Sequence, residues 1–264
     1  MKVTACRRST YAGVLLALAS LLSTLVFATQ GLAAIPLITD DTGTQGKGRF
    51  QLELFGEYGH DREERITAKT SDLAATLTYG IIDPLDIIVS VPYQFWRAEH
   101  SDRVTTGNGI SDSSIEAKWR FYEKGGVSVA LKPGFTLPTG DEGKGLGTGR
   151  AAYYLTVIAS KEIGPWAIHI NLGYIRNENS LDERKNVWHA SIASTVDVVG
   201  SLKFAGDVGM ETNPDRKSKT PPAYILGGLI YSAGKDVDIG LGVKGGLTRP
   251  ETDIAVRGGI AWRF

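Results

Sequence analysis

The sequence predicts an all-β protein, a transmembrane antiparallel up-and-down β-barrel of about 12 strands. Three observations carry that prediction. Segments of roughly ten residues recur along the chain, each alternating apolar and polar side chains and so having one greasy face and one polar face. The connections between them switch regularly between short turns and longer polar loops. Past the first 34 residues, no apolar run approaches the roughly 18 residues of a spanning helix. A closed barrel can still cross a bilayer on such a sequence, because only every second residue has to meet lipid.

The chain opens as an export signal would. Lys2, Arg7 and Arg8 precede an apolar stretch at 11–27 and a small-residue site at 31–34. Residues 1–34 are expected to be removed by cleavage after Ala33 or Ala34, taking Cys6 with them. The mature chain, 35–264, then has no cysteine, so disulfides cannot stabilise it. Losing three of 29 basic residues leaves 26 against 29 acidic ones, a net charge of −3. That balance does not favour nucleic acid as a partner. Residues 35–47 precede the first strand, and either a plug tucked into the barrel or a periplasmic tail fits them.

The strands follow in order. Segment 49–59 sets Phe50, Leu52, Leu54 and Tyr58 against Gln51, Glu53 and Glu57; 71–80 sets Leu73, Leu77 and Tyr79 against Asp72, Thr76 and Thr78. Segment 86–96 opposes Ile87, Val89, Val91, Tyr93 and Phe95 to Asp86, Ser90 and Gln94; 114–122 opposes Ile115, Trp119 and Phe121 to Glu116, Lys118 and Arg120. In 127–137, Val127, Val129, Leu131 and Phe135 face away from Ser128, Lys132 and Thr136. Segment 151–160 is less clean, with Tyr153, Leu155 and Val157 opposed by Tyr154, Thr156 and Ile158. The pattern resumes with Trp166, Ile168, Ile170, Leu172 and Tyr174 in 166–176, and with Trp188, Ile192 and Val196 in 187–198. Segment 202–211 places Phe204, Val208 and Met210 opposite Lys203, Asp207 and Glu211. Ile225, Leu229 and Tyr231 are the outward set of 223–232, and Ile239, Leu241 and Val243 oppose Asp238 and Lys244 in 237–247. The last segment, 254–264, carries Ile254, Val256, Ile260, Trp262 and Phe264 on one parity, with Arg257 and Arg263 on the other.

Short turns at 82–85, 123–126, 162–165, 199–201 and 233–236 alternate with polar loops at 60–70, 98–113, 138–150, 177–186 and 212–222; 248–251 is a short exception. Short periplasmic turns facing long external loops are the layout of an outer-membrane barrel. Outward aromatics sort by end as well as by parity. Phe50, Tyr79, Phe121, Trp166, Tyr231, Trp262 and Phe264 mark the short-turn side, and Tyr58, Phe95, Tyr153, Tyr174 and Trp188 the other. They form two interfacial girdles.

The alternating ending on Trp262 and Phe264 resembles the C-terminal assembly signal of bacterial outer-membrane barrels. It implies the barrel assembly machinery as a partner, outer-membrane lipid as the surroundings, and a Gram-negative cell. Further stretches resemble one outer-membrane family, named for the meta-cleavage (MetA) pathway of phenol degradation. They are 36–46 (Pro-Leu-Ile-Thr-Asp-Asp-Thr-Gly-Thr-Gln-Gly), 50–53, Tyr79-Gly80 through Asp83, Leu85-Asp86, Val91-Pro92-Tyr93, 117–121, 137–141, 171–174 and 242–247. The likeness implies a transporter in an aromatic-degradation setting and carries no binding site with it.

With 12 strands the interior lies between side-chain-filled small barrels and open porins, so the lumen should be narrow. Inward parity collects the candidates for a polar constriction: Glu53, Glu57, Asp72, Glu116, Lys118, Arg120, Lys132, Lys203, Asp207, Lys244 and Arg257, with Asp197, Glu211 and Arg263 beside them. The same charges, paired across the lumen, would instead close it. Phe55, Trp96 and Tyr154 break the polar rule of the inward face and are candidates for an aromatic path; lumen packing is the blander alternative.

The expectation is a channel for small solutes, hydrophobic or aromatic ones included. The alternatives are a largely closed structural barrel whose loops bind a partner, and a lipid-facing hydrolase. His189, Ser191 and Asn171 resemble the residue types of outer-membrane phospholipases, but His189 and Ser191 have inward parity, so no catalytic residue is assigned. The glycine-rich run 143–149 lacks the Lys-Ser/Thr pair of a phosphate loop. His60, His100, His169 and His189 lack metal-ligand spacing, and no metal or cofactor is expected.

Overall fold

A computed structural model describes residues 35–63, 66–100 and 103–264. The expected export signal lies outside these residues. The chain runs through β1 (Phe50–Glu63), β2 (Ile66–Ile82), β3 (Leu85–His100), β4 (Arg103–Ile110) and β5 (Ser113–Lys124). After β6 (Val127–Leu137) comes a single 3-10 turn, Glu142–Lys144, and then β7 (Tyr153–Ile163), β8 (Trp166–Arg176) and β9 (Asn186–Val199). The circuit ends with β10 (Leu202–Glu211), β11 (Ala223–Ser232), β12 (Val237–Gly246) and β13 (Ile254–Arg263).

All pairings are antiparallel between neighbours, and β1 pairs with β13 over Gln51–His60, which shuts the sheet on itself. Twelve strands form the closed barrel. The remaining strand, β4, is no stave: it folds back on the upper part of β3, Tyr93 to His100, while β5 pairs with the lower part, Leu85 to Ser90. The stretch 98–113 therefore departs from the expected polar loop. Its Val-Thr-Thr run suits a strand, and the neighbouring β3 edge offers free backbone groups that a loop would leave unpaired. Likewise β1 and β2 extend past the expected 60–70 loop into a tall hairpin that pairs out to Glu63 and Ile66.

The alternation expected from sequence maps onto two faces. Outward apolar side chains such as Leu54, Leu77, Val89, Leu172, Leu241 and Val256 are exposed, whereas inward polar ones such as Thr78, Asp86, Ser114 and Glu116 are buried. This inversion of the globular rule is what a hydrocarbon solvent demands. Outward rings touch in each girdle. Phe50 stacks on Phe264 at 5.7 Å and meets Tyr79 at 4.6 Å, and at the other end Tyr174 packs on Trp188 at 4.8 Å. Phe50 and Phe264 also exchange both backbone hydrogen bonds, 2.8 and 2.9 Å, so the outermost rung of the closing seam is aromatic.

The external loops are tied together. Arg184 donates to the carbonyls of Arg216 (3.0 Å) and Ser218 (2.8 Å), Arg216 pairs with Asp182 at 2.6 Å, and Ser180 donates to Glu142 at 2.6 Å. These contacts join three loops into one rim.

Candidate functional site

The interior of the barrel is occupied by its own N-terminal segment. Residues 35–47 run along the inside of the wall from β12 round to the β2–β3 turn. The sequence allows this because the inward positions Gly228, Gly240, Gly242 and Gly259 leave a floor without side chains under Ile35 and Pro36. A Cβ at any of these four would press on the segment. Glycine inside a strand often marks such a close backbone approach. Leu37 then sinks into a small apolar cluster with Ala193, Ala205, Tyr224, Leu226 and Ile230.

Polar anchors follow. The Asp207 carboxylate accepts from Ile38 N (2.7 Å), Thr39 N (2.8 Å) and Thr39 Oγ1 (2.7 Å), with Tyr224 Oη at 3.2 Å. With its amide oxygen and nitrogen assigned to match their neighbours, Asn171 accepts from Asp40 N (2.7 Å) and donates to Asp40 O (2.9 Å). Thr42 N donates to Ser160 Oγ (3.2 Å), and Gln45 N to Asp86 (3.0 Å). Asp207 on β10, Asn171 on β8, Ser160 on β7 and Asp86 on β3 thus serve a passing backbone whose own donors and acceptors would otherwise be stranded.

At the centre of this path lies a buried charge cluster. Lys118 Nζ sits 2.7 Å from Asp40 Oδ1, and Lys132 Nζ 2.8 Å from Asp40 Oδ2; Lys118 also donates to Asp41 O at 3.0 Å. Glu116 lies 3.9 Å from Lys132 and accepts from Tyr154 Oη at 2.8 Å. The side chains of Lys118 and Asp40 are 0% and 2% exposed. Burial opposes ionisation of Asp40, but the two ammonium groups outweigh it and hold the carboxyl below its ordinary value.

A second cluster belongs to the wall alone. Lys244 Nζ bridges Glu57 and Glu251, each at 3.1 Å, and Arg257 reaches Glu57 Oε2 at 3.2 Å. The Arg257 guanidinium also stands 4.7 Å from the Phe55 ring centroid. Glu57 and Arg257 are direct register partners on β1 and β13, so the strand pairing itself sets this contact.

The other candidates scatter. Glu53 accepts from Gln51 (3.0 Å), and Asp72 accepts from Gln94 (2.8 Å). Arg120 pairs with Glu123 at 3.2 Å, and Lys203 with Asp197 at 3.5 Å. Both pairs stand beside the short turns with one or both partners well exposed, away from any constriction. The three inward aromatics do not meet one another in any ring contact among the described residues. Trp96 lies over Gly107 and donates to the Lys144 carbonyl (2.9 Å) at the loop end. Tyr154 covers Gly134, and Phe55 faces Arg257. His189 Nε2 is 3.1 Å from Ser191 Oγ inside the barrel, while Asn171, which could orient a base, is engaged by Asp40. A pocket of ≈ 200 Å³ opens at the loop end between Asp61, Glu63, Asn213, Asp215 and Arg249.

A family profile described as "Putative MetA-pathway of phenol degradation" matches residues 36–264. The chain belongs to this family. The MetA-pathway family match begins at Pro36 and so includes the inner segment. Among solved structures, the chain is similar to an outer-membrane channel of Pseudomonas putida F1, at TM-score 0.66 and 13% identity over 85% of this chain and 98% of that one. The KdgM porin matches at TM-score 0.54 and 8% identity (81% and 99% covered). The β-domain of the Bordetella autotransporter BrkA matches at 0.54 and 14% (83% and 100%). At these identities the likeness establishes the fold. No curated protein matches this chain in sequence.

Sequence reasoning missed Asp40, Thr39 and the glycine floor. A signal existed for the last: three inward glycines on β12 and β13, Gly240, Gly242 and Gly259, face the same side within two neighbouring strands.

Proposed function

We propose that this MetA-pathway family member is an outer-membrane channel for small solutes, narrowed by the segment 35–47. The observation that carries the reading is the inverted wall: apolar and girdled outside, polar and charged inside, with a pocket between the loops at one end. Such a wall suits outer-membrane lipid, assembly by the barrel machinery at Trp262 and Phe264, and a bacterial outer-membrane location. The family description supports aromatic compounds as cargo, while the inward rings Phe55, Tyr154 and Trp96 stand apart rather than as one path. No catalytic role is proposed, since the His189–Ser191 pair faces the lumen and Asn171 is engaged by the segment.

Reconstitution in planar bilayers tests this. The expected result is small, discrete current steps that a phenolic solute blocks. A second reading, a barrel closed at rest, is favoured by the burial of Asp40 and Leu37 of the inner segment within the barrel. Silence from a verified folded barrel would select it.

A further inference from the structure

Lys118 and Lys132 share one anion, and that anion belongs to the inner segment. Two ammonium groups on adjacent strands, β5 and β6, each hold a different oxygen of one carboxylate, at 2.7 and 2.8 Å. Lys118 and Lys132 are 0% and 4% exposed, so both charges have left bulk water and need an anion to offset that cost. Glu116 alone cannot serve both. It lies 3.9 Å from Lys132, and the salt bridges of Lys118 among the described residues run to Asp40. Asp86, the register partner of Lys118, and Glu53 add negative charge nearby, but among the described residues Asp40 is the carboxylate that bonds both lysines.

The anion, moreover, does not come from the wall. Asp40 is delivered by a segment that reaches the lysines from 78 and 92 residues away in sequence. A tethered ligand of this kind competes with free ligand at an effective concentration in about the millimolar range.

We propose that Lys118 and Lys132 form a carboxylate-binding site inside the barrel, which Asp40 occupies as a built-in ligand and for which free organic carboxylates compete. Two ammonium groups aimed at two oxygens of one planar group favour a carboxylate over a neutral alcohol or a halide. A solute carrying a carboxylate would take the Asp40 position and loosen residues 38–42, so the site links the chemistry of the solute to the seating of the segment.

The test uses the full chain folded in detergent and acetate as the probe, since acetate supplies the carboxylate that Asp40→Ala removes. Binding of ¹³C-acetate is titrated by NMR at constant ionic strength, with acetamide as the neutral control. The expected result is a dissociation constant at least about tenfold lower for Asp40→Ala than for the wild type, because the tethered competitor is gone. Adding Lys118→Met and Lys132→Met should abolish that gain, and acetamide should show none. Equal binding by the wild type and Asp40→Ala, or a gain that survives loss of both lysines, would overturn the proposal. Asp40→Ser carries the same comparison if Asp40→Ala does not reach the folded barrel. The measurement needs no ion flow. A barrel that binds acetate as expected but stays silent in bilayers would refute the channel reading and leave this site intact.

Discussion

The two buried charge clusters of the lumen look alike in composition but differ in construction. Glu57, Arg257, Lys244 and Glu251 come from β1, β12, β13 and the loop between the last two, so closing the barrel assembles them. Lys118, Lys132 and Glu116 also come from the wall, yet the anion that joins the two lysines sits on the inner segment. The first cluster is a product of strand register. The second is completed by a separable piece of chain, so one should behave as fixed structure and the other as a latch.

The largest expected effect follows from removing that piece. Deleting residues 36–46 should leave a folded, heat-modifiable barrel with the Glu57–Arg257 contact intact, and raise single-channel conductance several-fold. Unchanged conductance would mean that the wall, not the segment, sets the bore. Next, Asp40→Ala leaves two buried ammonium groups short of an anion. By the cost of breaking buried pairs, the segment should lose about 3–5 kcal/mol of seating, less where water enters. Protease cleavage within 35–47, followed by mass spectrometry, would report the loss.

Glu57→Gln should cost less, about 1–3 kcal/mol in urea unfolding, because Lys244 keeps Glu251 at 3.1 Å and Arg257 keeps the Phe55 ring. Phe55→Leu is the smallest, removing a cation–π contact worth about 0.5–2 kcal/mol while the ion pairs stay.

Acid tests the latch directly. The folded value of Asp40 lies below its ordinary 3.8, so its grip is complete above that pH and fades only as pH falls through the lower folded value. Segment release, followed by a fluorophore near Ile35, should therefore be absent in mildly acidic buffer and appear only below pH 3.8. Release near pH 6 would show that Lys118 and Lys132 do not hold Asp40 as described, with Glu53, Asp41 and Glu116 the neighbouring carboxylates to test.

The wall was legible because its cause is local. Alternation at Phe50 to Tyr58 or Ile87 to Phe95 needs no knowledge of distant residues, and inward parity alone picks out Glu57, Lys118 and Arg257. The β4 hairpin was hidden because Arg103 to Ile110 mixes threonine, glycine and asparagine and shows no apolar stripe. The latch was hidden for another reason. Nothing in the run Thr39-Asp40-Asp41 specifies lysines 78 and 92 positions away, and the same polar residues suit a solvated tail equally well.

The glycine floor beneath Ile35 and Pro36 also bears on the order of events in time. It is laid by β11, β12 and β13, whereas the residues that rest on it precede β1. The earliest described stretch of the chain thus finds its seat only after the latest strands are in place, and the Thr39–Asp207 contact alone spans 168 positions. Contacts so distant in sequence form late. A seated segment is therefore a record that the barrel behind it has been finished, and a probe on Ile35 would act as a clock for the last step of assembly.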